Sequence, residues 1–523
     1  MKKITLLFFL LCALYQLNAQ IVWQNTIGGS GFDFLEDIIS TSDGGFLLIG
    51  VSESGISGDK TQSNLGQGDF WVVKTNSTGV VQWEKTYGGT GDDYAVTAIE
   101  TSDGGFVIIG DSDSNISGDK TQNSKGGLDF WIIKINSTGT KLWDKTIGGS
   151  LDDLPIALQE TSNGDIIIGG ESVSSISGNK TENSKGGSDH WIVKINSTGT
   201  ILWDKTFGGN ADDFLATLKL TADGGYIIGS SSSSGISGDK SENALGMEDY
   251  WILKVSNTNT IDWQKTIGGA STSMSTLSDL ILTSDGSYII AGDSNSGIAG
   301  SKTVITNGGS DLWILKLNSA GVIQWQNSIG GASDEYFPTI VQNVDGGYAI
   351  ASESLSNISG DKTENSHSNS NDIWLVALDA NGTITTDKTI GTNGIEGAEK
   401  ILLTSDGNFV TSSYVDELSG DNMEAPNGDT DYWILKIDKN TLSTPTINMA
   451  SNLNVFPNPA INNITFATQI NIENVSVFDV NGRLIKHIKN PDKTIDVSNL
   501  KTGVYFIRFT IQNGFTTKRF IKQ

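Results

Sequence analysis

A tryptophan-centred segment recurs seven times, and this repeat limits the folds open to the chain more than any other feature. Each copy resembles Asp-Phe-Trp-Ile-Ile-Lys, and successive copies lie 59 to 62 residues apart. A fixed period of this size predicts a propeller or a solenoid with one supersecondary unit per repeat. The central tryptophans are Trp71, Trp131, Trp191, Trp251, Trp313, Trp374 and Trp433.

The repeat that covers residues 92–147 contains four segments that predict antiparallel strands. Turn-forming sequences at residues 102–105 and 136–139 separate the first pair and the last pair. The third segment is apolar on both faces, as expected when sheets are stacked face to face. Four strands per repeat are typical of a propeller blade. The predicted strands are 94–101, 106–110, 130–135 and 141–147.

The N-terminal segment Ile21 to Gly29 has the sequence of a fourth strand and stands ahead of the first complete repeat. The seventh repeat lacks a fourth strand, because the pattern ends after Lys436. One unpaired strand and one missing strand predict a ring closed by the N-terminal strand, which leaves no free sheet edge. We therefore predict an all-β fold, a seven-bladed β-propeller with four-stranded blades over residues 20–440.

Residues 1–19 have the organisation of a secretory signal peptide. Two lysines precede an apolar run over residues 4–14, and a small-residue cleavage site ends at Ala19. The run is shorter than the roughly 20 apolar residues that span a bilayer, and no later segment approaches that length. Cys12, the single cysteine, lies within this peptide. The mature chain is therefore predicted to have neither disulfides nor thiol chemistry.

A different sequence pattern follows a linker predicted over residues 441–452. Residues 453–523 contain alternating segments and turns that predict a small β-sandwich. Their motifs Asn-Val-Phe-Pro-Asn-Pro, Val-Phe-Asp-Val-Asn-Gly-Arg, Leu-Lys-Thr-Gly-Val-Tyr-Phe and Lys-Arg-Phe-Ile-Lys-Gln resemble, in order and spacing, the type A C-terminal sorting domain of the Bacteroidetes type IX secretion system. The motif residues are Pro457, Asn458, Pro459, Asn481, Gly482, Arg483, Gly503, Tyr505 and Lys518.

This resemblance implies a partner and a route for the chain. Domains of this family are recognised by the outer-membrane translocon of the type IX system and are usually cleaved after translocation. The cargo is then released or fixed to surface lipopolysaccharide. The chain is thus similar to secreted repeat propellers that cross the inner and outer membranes and reach the cell surface or the medium. The alternative is a domain that only stabilises the propeller.

The net charge of −26 restricts the partners of the propeller. Residues 451–523 hold more Lys and Arg than Asp and Glu, so the acidic surplus lies before them. Such a surface repels nucleic acid and anionic lipid and suits cations or neutral polymers. We predict a non-catalytic binding or structural module that contacts a glycan, a protein or a divalent cation through its acidic, loop-rich face. The alternatives are a passive surface-layer component and a propeller glycosidase or lyase that uses carboxylates.

A column of acidic residues recurs at the start of the predicted first strands. One hypothesis is a ring of carboxylates at the channel mouth that binds Ca²⁺ or a cationic ligand through hard oxygen donors, with no other cofactor required. The other is that each side chain caps a glycine-rich turn. Ser273 and Gly397 are predicted to interrupt the column in the fifth and seventh repeats. The candidate metal ligands are Asp33, Asp93, Asp153, Asp213 and Glu335.

Other side chains give little support for catalysis. The three histidines, His190, His367 and His487, form no cluster with cysteine that would indicate zinc. A Ser-His-Asp triad would depend on His190 or His367. The repeated tryptophans are expected to pack in the core and not to bind sugars, because their strands are buried on both faces. Departures from the repeat at residues 271–274, at Thr386 and around His367 are where catalytic groups are to be sought.

Overall fold

The computed structural model describes residues 21–442 and 454–523, except 468–471, 473, 480–482, 490 and 512–513. The predicted signal peptide, most of the predicted linker, and the motif residues Asn481 and Gly482 lie outside the described residues. The chain divides into two compact units, Met1–Leu442 and Ser443–Gln523. Among the described residues there is no helix long and apolar enough to cross a membrane.

All regular elements of the described part of unit 1 are strands. They coincide with the β-branched and aromatic segments that the repeat contains. In chain order the strands are β1 (Ile21–Ile27), β2 (Asp33–Ser40), β3 (Phe46–Ser52), β4 (Asp69–Thr75), β5 (Val81–Tyr87), β6 (Asp93–Glu100), β7 (Phe106–Ser112), β8 (Asp129–Ile135), β9 (Lys141–Ile147), β10 (Asp153–Glu160), β11 (Ile166–Ser172), β12 (Asp189–Ile195), β13 (Ile201–Phe207), β14 (Asp213–Leu220), β15 (Tyr226–Ser232), β16 (Asp249–Val255), β17 (Ile261–Ile267), β18 (Ser275–Leu282), β19 (Tyr288–Ser294), β20 (Asp311–Leu317), β21 (Ile323–Ile329), β22 (Glu335–Gln342), β23 (Tyr348–Ser354), β24 (Asp372–Leu378), β25 (Ile384–Ile390), β26 (Lys400–Leu403), β27 (Phe409–Val415) and β28 (Asp431–Ile437).

These strands form repeated antiparallel sheets of four, which we number in chain order. Sheets 1 to 6 each contain four consecutive strands, from β2–β5 in sheet 1 to β22–β25 in sheet 6. Sheet 7 has the order β1-β28-β27-β26. Strand β1 therefore takes the place of a fourth strand, with Thr26 opposite Trp433 as Thr86 is opposite Trp71 in sheet 1. The repeated four-stranded sheets confirm the all-β, propeller-type organisation.

The third strand of each sheet is the centre of the core. Its tryptophan is fully buried in all seven sheets of unit 1, and its indole N–H has a fixed partner on the fourth strand. In sheet 1 the indole of Trp71 donates to Oε2 of Glu84 at 2.9 Å. In sheet 7 the indole of Trp433 donates to Oε1 of Gln24 on β1, at 3.0 Å. The predicted core role of the tryptophans agrees with this burial.

Neighbouring sheets pack through the residue that precedes this tryptophan. Phe70 of sheet 1 packs on Trp131 of sheet 2, with ring centroids 4.8 Å apart. Sheet 7 makes the same contact with sheet 1, because Tyr432 packs on Trp71 at 4.7 Å. The Tyr432 hydroxyl also donates to the carbonyl oxygen of Trp71 at 3.1 Å. The first and last sheets of unit 1 thus share one hydrophobic core.

A β-bulge interrupts the first strand of each of sheets 1 to 6. In sheet 1, Leu35 lies opposite Gly50 and Asp37 lies opposite Ile49, so Glu36 is the extra residue. A bulge changes the direction of the side chains next to it. In unit 1 these side chains line a central cavity of about 390 Å³, to which the first strands of sheets 1 to 5 and 7 contribute.

Unit 2 is built from two sheets around one core. The sheet orders are β29-β30-β33 and β32-β31-β34-β35. Phe466 of one sheet meets Phe509 of the other, with ring centroids 5.0 Å apart. Its strands are β29 (Asn454–Phe456), β30 (Asn463–Ala467), β31 (Asn474–Asp479), β32 (Leu484–Lys489), β33 (Thr494–Asp496), β34 (Gly503–Ile511) and β35 (Gly514–Lys522).

Candidate functional site

The five candidate metal ligands lie buried beneath glycine-rich turns and not on the cavity wall. In sheet 1, the Gly29 N–H donates to Oδ2 of Asp33 at 2.6 Å, and the Ser54 hydroxyl donates to the same oxygen at 2.9 Å. Burial raises the pKa of Asp33, although these hydrogen bonds oppose the shift. Glycine N–H and serine hydroxyl contacts recur at Asp93, Asp153, Asp213 and Glu335.

A buried lysine occupies the same place in each of sheets 1 to 6, and in sheets 1 to 4 and 6 it accompanies one of these carboxylates. In sheet 2 the ammonium of Lys120 donates to the Ser112 hydroxyl at 2.5 Å and lies 5.9 Å from the Trp131 ring centroid. Burial lowers the pKa of Lys120, and the charges of Asp93 and Asp129 oppose this shift. The equivalent buried lysines are Lys60, Lys180, Lys240, Lys302 and Lys362.

These contacts support the turn-capping hypothesis for the acidic column. Turn amides and serine hydroxyls donate to Oδ2 of Asp33, Asp93 and Asp153, and a lysine supplies a nearby positive charge. Oδ1 of these three side chains has no hydrogen-bond partner among the described residues. Within the described ranges, no three His, Cys, Asp or Glu side chains are placed so that they could hold a metal ion. Calcium binding by the column stays a prediction that these contacts do not test.

Calcium removal is expected to leave the stability of unit 1 unchanged, because lysine already balances the buried carboxylates. All 13 tryptophans lie before residue 443, so tryptophan fluorescence follows unit 1 in the full chain. We expect the same thermal midpoint in millimolar Ca²⁺ and in EDTA, since a ligand that does not bind the native state cannot shift it. A midpoint that rises with Ca²⁺ and falls with EDTA would establish the calcium hypothesis instead.

The predicted register of the column is wrong in sheets 5 and 7. In sheet 1 the N–H of Asp33 donates to the Thr430 carbonyl of sheet 7 at 2.8 Å. The equivalent bond identifies the column residue in each of the other sheets. Ser275, not Ser273, makes the equivalent bond in sheet 5, and Glu396, not Gly397, makes it in sheet 7. Insertions and deletions in the preceding loops shift the numbering, and only backbone pairing shows where the strand resumes.

The histidines of unit 1 do not supply a catalytic triad. His190 is fully buried and stacks on Trp251 at 5.3 Å. Burial lowers the pKa of His190 to about 3, so its ring stays neutral. Nδ1 of His367 lies 3.0 Å from Oδ2 of Asp372, which raises the pKa of His367. Neither ring is among the residues that line the central cavity.

The cavity wall is the part of unit 1 where the repeats differ most in chemistry. The wall is formed mainly by the third, fourth and sixth residues after the column position of each first strand. In sheets 2, 3 and 6 these positions hold only uncharged residues. The charged residues at these positions are Glu36, Asp37, Lys219, Asp279, Glu399 and Lys400. The wall therefore breaks the symmetry of the scaffold.

Four of these residues form what we call the inner group: Asp37, Lys219, Asp279 and Lys400. The Lys400 ammonium lies 3.9 Å from Oδ2 of Asp279. Although burial acts to raise it, the charges of Lys400 and Lys219 hold the pKa of Asp279 below its usual value. Burial raises the pKa of Asp37, and attraction to Lys400 offsets only part of that shift. The pKa values of two carboxyl groups in one cavity are thus shifted in opposite directions.

A second set, the mouth group, lies where sheets 6, 7 and 1 adjoin: Phe34, Glu36, Glu353, Glu399 and Tyr414. The Phe34 and Tyr414 rings are 4.4 Å apart between centroids. Oε1 of Glu399 and Oε1 of Glu353 lie 2.7 and 3.1 Å from the point that a Cβ on Gly397 would occupy, and the Tyr414 ring lies 2.8 Å from it. The absence of a side chain at Gly397 lets these groups approach one another.

The carboxyl groups of the mouth group hold protons unusually well. Burial, aided by Asp111, raises the pKa of Glu36 to about 7. Burial raises the pKa of Glu353 to about 7, although Asn371 donates to it at 3.0 Å. Burial together with Glu36 and Glu353 raises the pKa of Glu399 well above its usual value. A cation placed beside these carboxyl groups would stabilise their ionised forms and lower their pKa values.

Sequence reasoning missed both groups, although a signal for them exists. When the first strands are aligned on the column, acidic or basic residues stand at the cavity positions in four repeats only. Four of the five mouth residues also come from the two ends of unit 1, which the pairing of β1 with β28 brings close. The departures that the sequence singled out, at residues 271–274, Thr386 and His367, do not line the cavity.

The described residues of the sorting motif hold the strands of unit 2 together. Asn458, between Pro457 and Pro459, donates to the Arg519 carbonyl at 3.2 Å and accepts from the Ile521 N–H at 2.9 Å. It thereby fastens β35 to the start of the unit. Both partners lie in the terminal segment that the motif contains.

Other motif residues shape the remaining edges of unit 2. The Tyr505 hydroxyl donates to the Lys501 carbonyl at 3.0 Å, close to Gly503, which opens β34. Nε of Arg483 donates to Oδ2 of Asp479 at 3.1 Å. Lys518 lies on β35, opposite Ile507. These residues therefore make their contacts within the unit.

Residues 454–523 match the protein family described as the secretion system C-terminal sorting domain. Among curated proteins, the chain is similar to the regulatory protein FlaEY of Caulobacter vibrioides, with 22% identity over 227 residues. That match covers 41% of this chain and 23% of the relative, so the chain spans less than a quarter of the relative's length.

Solved structures with a similar arrangement share little sequence with the chain. One is the extracellular domain of a hybrid two-component system from B. thetaiotaomicron, with 10% identity, 95% of this chain and 57% of that chain covered, and a TM-score of 0.40. Another is the polysaccharide lyase Uly1, with 11% identity, 79% and 91% covered, and a TM-score of 0.41.

The family match of residues 454–523 indicates where the protein is directed. A type IX secretion sorting domain directs its cargo to the cell surface or the extracellular space, and it interacts with the secretion system. The predicted export of the chain is therefore confirmed.

Proposed function

We propose that the chain is an exported, seven-bladed β-propeller, closed by strand β1, that binds a cationic ligand at the mouth of its central cavity. Support for the ring comes from sheet 7, whose contacts with sheet 1 repeat those between sheets 1 and 2. Support for the ligand comes from one observation above all. Glu353, Glu399 and the Tyr414 ring approach one another in a gap that Gly397 leaves open, and the Phe34 ring packs on Tyr414. The carboxyl groups of Glu36, Glu353 and Glu399 all have raised pKa values.

The chemistry of the mouth group suits a guanidinium or ammonium ion. Carboxylates such as Glu353 and Glu399 attract the charge, and the rings of Phe34 and Tyr414 offer faces for cation–π contacts. The carboxylates gain a counter-ion that the described residues around them do not provide. This role agrees with the predicted acidic, loop-rich binding face, because Glu353 lies one residue before the end of β23.

The affinity for a cation is expected to rise between about pH 6 and 8. Below their pKa of about 7, Glu36 and Glu353 are protonated and uncharged, and above it they carry the negative charge that attracts the ligand. Butylguanidinium is a suitable probe, because it stays charged throughout this range. Isothermal titration of the full mature chain should give about tenfold tighter binding at the higher pH. An affinity independent of pH would contradict the role of these carboxyl groups.

Substitution tests the same site at constant pH. Glu353→Gln together with Glu399→Gln is expected to weaken butylguanidinium binding at least about tenfold, because neither side chain can then ionise beside the cation. Glu100→Gln is the matched control, because Glu100 lies outside the cavity. Its Oε2 accepts a hydrogen bond from the Ser42 N–H at 2.6 Å. Equal affinity in the double variant and the control would rule out the mouth group.

A carboxylate-dependent glycosidase or lyase is the second candidate function. The observation that favours it is the approach of Glu353 and Glu399 to Tyr414, because two carboxyl groups with a nearby hydroxyl could supply acid, base and charge neutralisation. Incubation with uronate-containing polysaccharides, followed by reducing-end and ultraviolet assays, tests this candidate. Product that disappears with Glu399→Gln would favour the enzyme, and no product would leave the binding function.

A further inference from the structure

The larger sheet of unit 2, with the order β32-β31-β34-β35, carries apolar side chains on both faces. Successive side chains of a strand point to opposite faces. One face supplies buried core residues such as Val475 and Ile507, and the smaller sheet packs on it. The opposite face carries five half-buried or exposed apolar side chains, which we call the outer patch. They are Phe478, Leu484, Val504, Phe506 and Ile521.

The outer patch extends across all four strands of this sheet. Phe478 lies opposite both Leu484 and Phe506 on the neighbouring strands, and Val504 lies opposite Ile521. Directly opposed side chains on one face have Cβ atoms about 4.5–5.5 Å apart, so these five form one surface. Leu484 is 52% exposed and Phe506 is 38% exposed. The solvated face of an antiparallel sheet is normally polar, so contiguous apolar side chains on it indicate an interaction site.

The charged side chains on the same face are all basic. Arg519 lies opposite Phe506, and the guanidinium of Arg508 lies 5.2 Å from the Phe478 ring centroid. Lys489 is exposed at one end of the face. Among the residues of this face that the structure describes, there is no Asp or Glu. Aromatic rings combined with arginine are typical of protein interfaces, and this charge fits a partner surface that is acidic.

The sorting motifs supply most of the outer patch, yet the fold of unit 2 does not account for it. Inward residues of these motifs, such as Tyr505 and Phe520, belong to the core of the unit, whereas Phe478 and Phe506 do not. Interaction with the secretion system follows from the family match of residues 454–523, which does not identify the contact surface.

We propose that the outer patch, together with Arg508 and Arg519, is the surface through which the chain docks on a protein component of the secretion system. The surface that it meets is apolar and acidic, complementary to these side chains. The proposal concerns unit 2 alone and is independent of the ligand of unit 1.

Export of the full chain from a Bacteroidetes strain with a working type IX system tests this surface. Phe506→Ser is expected to lower the exported fraction at least about tenfold, because a central aromatic side chain carries a large share of the affinity of an interface. Ile461→Ser is the control, since Ile461 is 63% exposed but lies outside the larger sheet. Arg519→Glu should reduce export similarly. Lys493→Glu makes the same change of net charge at an exposed position outside this sheet and should leave export unchanged.

Binding of the purified mature chain to outer membranes separates docking from folding. We expect binding to membranes that contain the type IX system, and weaker binding as salt is raised from about 0.05 to about 0.5 M. Phe506→Ser and Arg519→Glu should both remove this binding. Resistance of unit 2 to proteinase K shows which variants are folded. If Phe506→Ser loses this resistance, Arg519→Glu on the edge strand β35 decides the test.

Three results would overturn the proposal. The first is wild-type export and binding by folded Phe506→Ser and Arg519→Glu chains. The second is an equal loss in Ile461→Ser, because the contact would then not be specific to the outer patch. The third is equal binding to membranes that lack the type IX system, which would identify the membrane itself as the partner.

Discussion

Deletion of strand β1, residues Ile21–Ile27, is expected to abolish the cooperative folding of unit 1. The strand fills the outer place of sheet 7, and without it β28 becomes an edge although all its residues are buried and most are apolar. The deletion also removes the Gln24 acceptor of the Trp433 indole and the contact of Trp23 with Phe46, at 6.0 Å. These losses are comparable with the total stability of a domain, about 5–15 kcal/mol.

Urea unfolding of the full chain, followed by tryptophan fluorescence, measures this effect. The control replaces β1 by the fourth-strand sequence of sheet 2, Lys141–Ile147, which has the same length and the same tryptophan position. We expect the exchanged chain to unfold cooperatively and the deleted chain to aggregate, because an unpaired apolar edge recruits other chains. A deleted chain that unfolds with the wild-type midpoint would contradict closure by β1.

Lys120→Met is expected to destabilise unit 1 by about 3–5 kcal/mol near neutral pH. The substitution keeps the length of the side chain but removes the ammonium between Asp93 and Asp129, both fully buried. Burial already raises the pKa of Asp93, and Lys120 opposes this shift. Without Lys120 the folded-state pKa of Asp93 rises further above the unfolded value, so the penalty is greatest at high pH and shrinks as the pH falls.

Lys145→Met serves as the matched control for this prediction. Lys145 lies on β9 of the same sheet, is only half-buried and makes no ion pair with the described residues. Its loss should change the free energy of unfolding by no more than about 0.5 kcal/mol. Urea unfolding at two pH values compares the variants. Equal effects of the two substitutions would show that the buried lysine does not compensate the carboxylates.

Much of the scaffold was predictable because the sequence features that form its strands and turns are local and are repeated seven times. The predicted strand at residues 141–147 coincides with β9, and the predicted strand at 130–135 lies within β8 (Asp129–Ile135). Apolar runs and glycine-containing turns determine local structure over a few residues, so each repeat predicted the same strands and turns independently. The sorting motifs were recognisable for a similar reason, since their residues fasten the short strands of unit 2 to one another.

The acidic column shows where the repeat pattern was misleading. Recurrence located Asp33 and its equivalents, but it could not show whether their oxygens face the channel or a turn. The structure buries them against the amides of turns such as Gly29, beside lysines such as Lys60. A contact between one repeat and the loop of the next depends on how the sheets pack. The spacing of residues along the sequence does not reveal this packing.

The sequence by itself determined the all-β repeat, the sheet in which the N-terminal strand belongs, and the route out of the cell. Only the tertiary structure decided which side chains share the central cavity. Glu36 and Glu399 come from opposite ends of unit 1, and Lys219 comes from its middle. Glutamate occupies its position in two repeats only and lysine in one, so periodicity gives these residues little weight. Their proximity arises from the bulged first strands and from the contact between the first and last sheets, and both are properties of the folded chain.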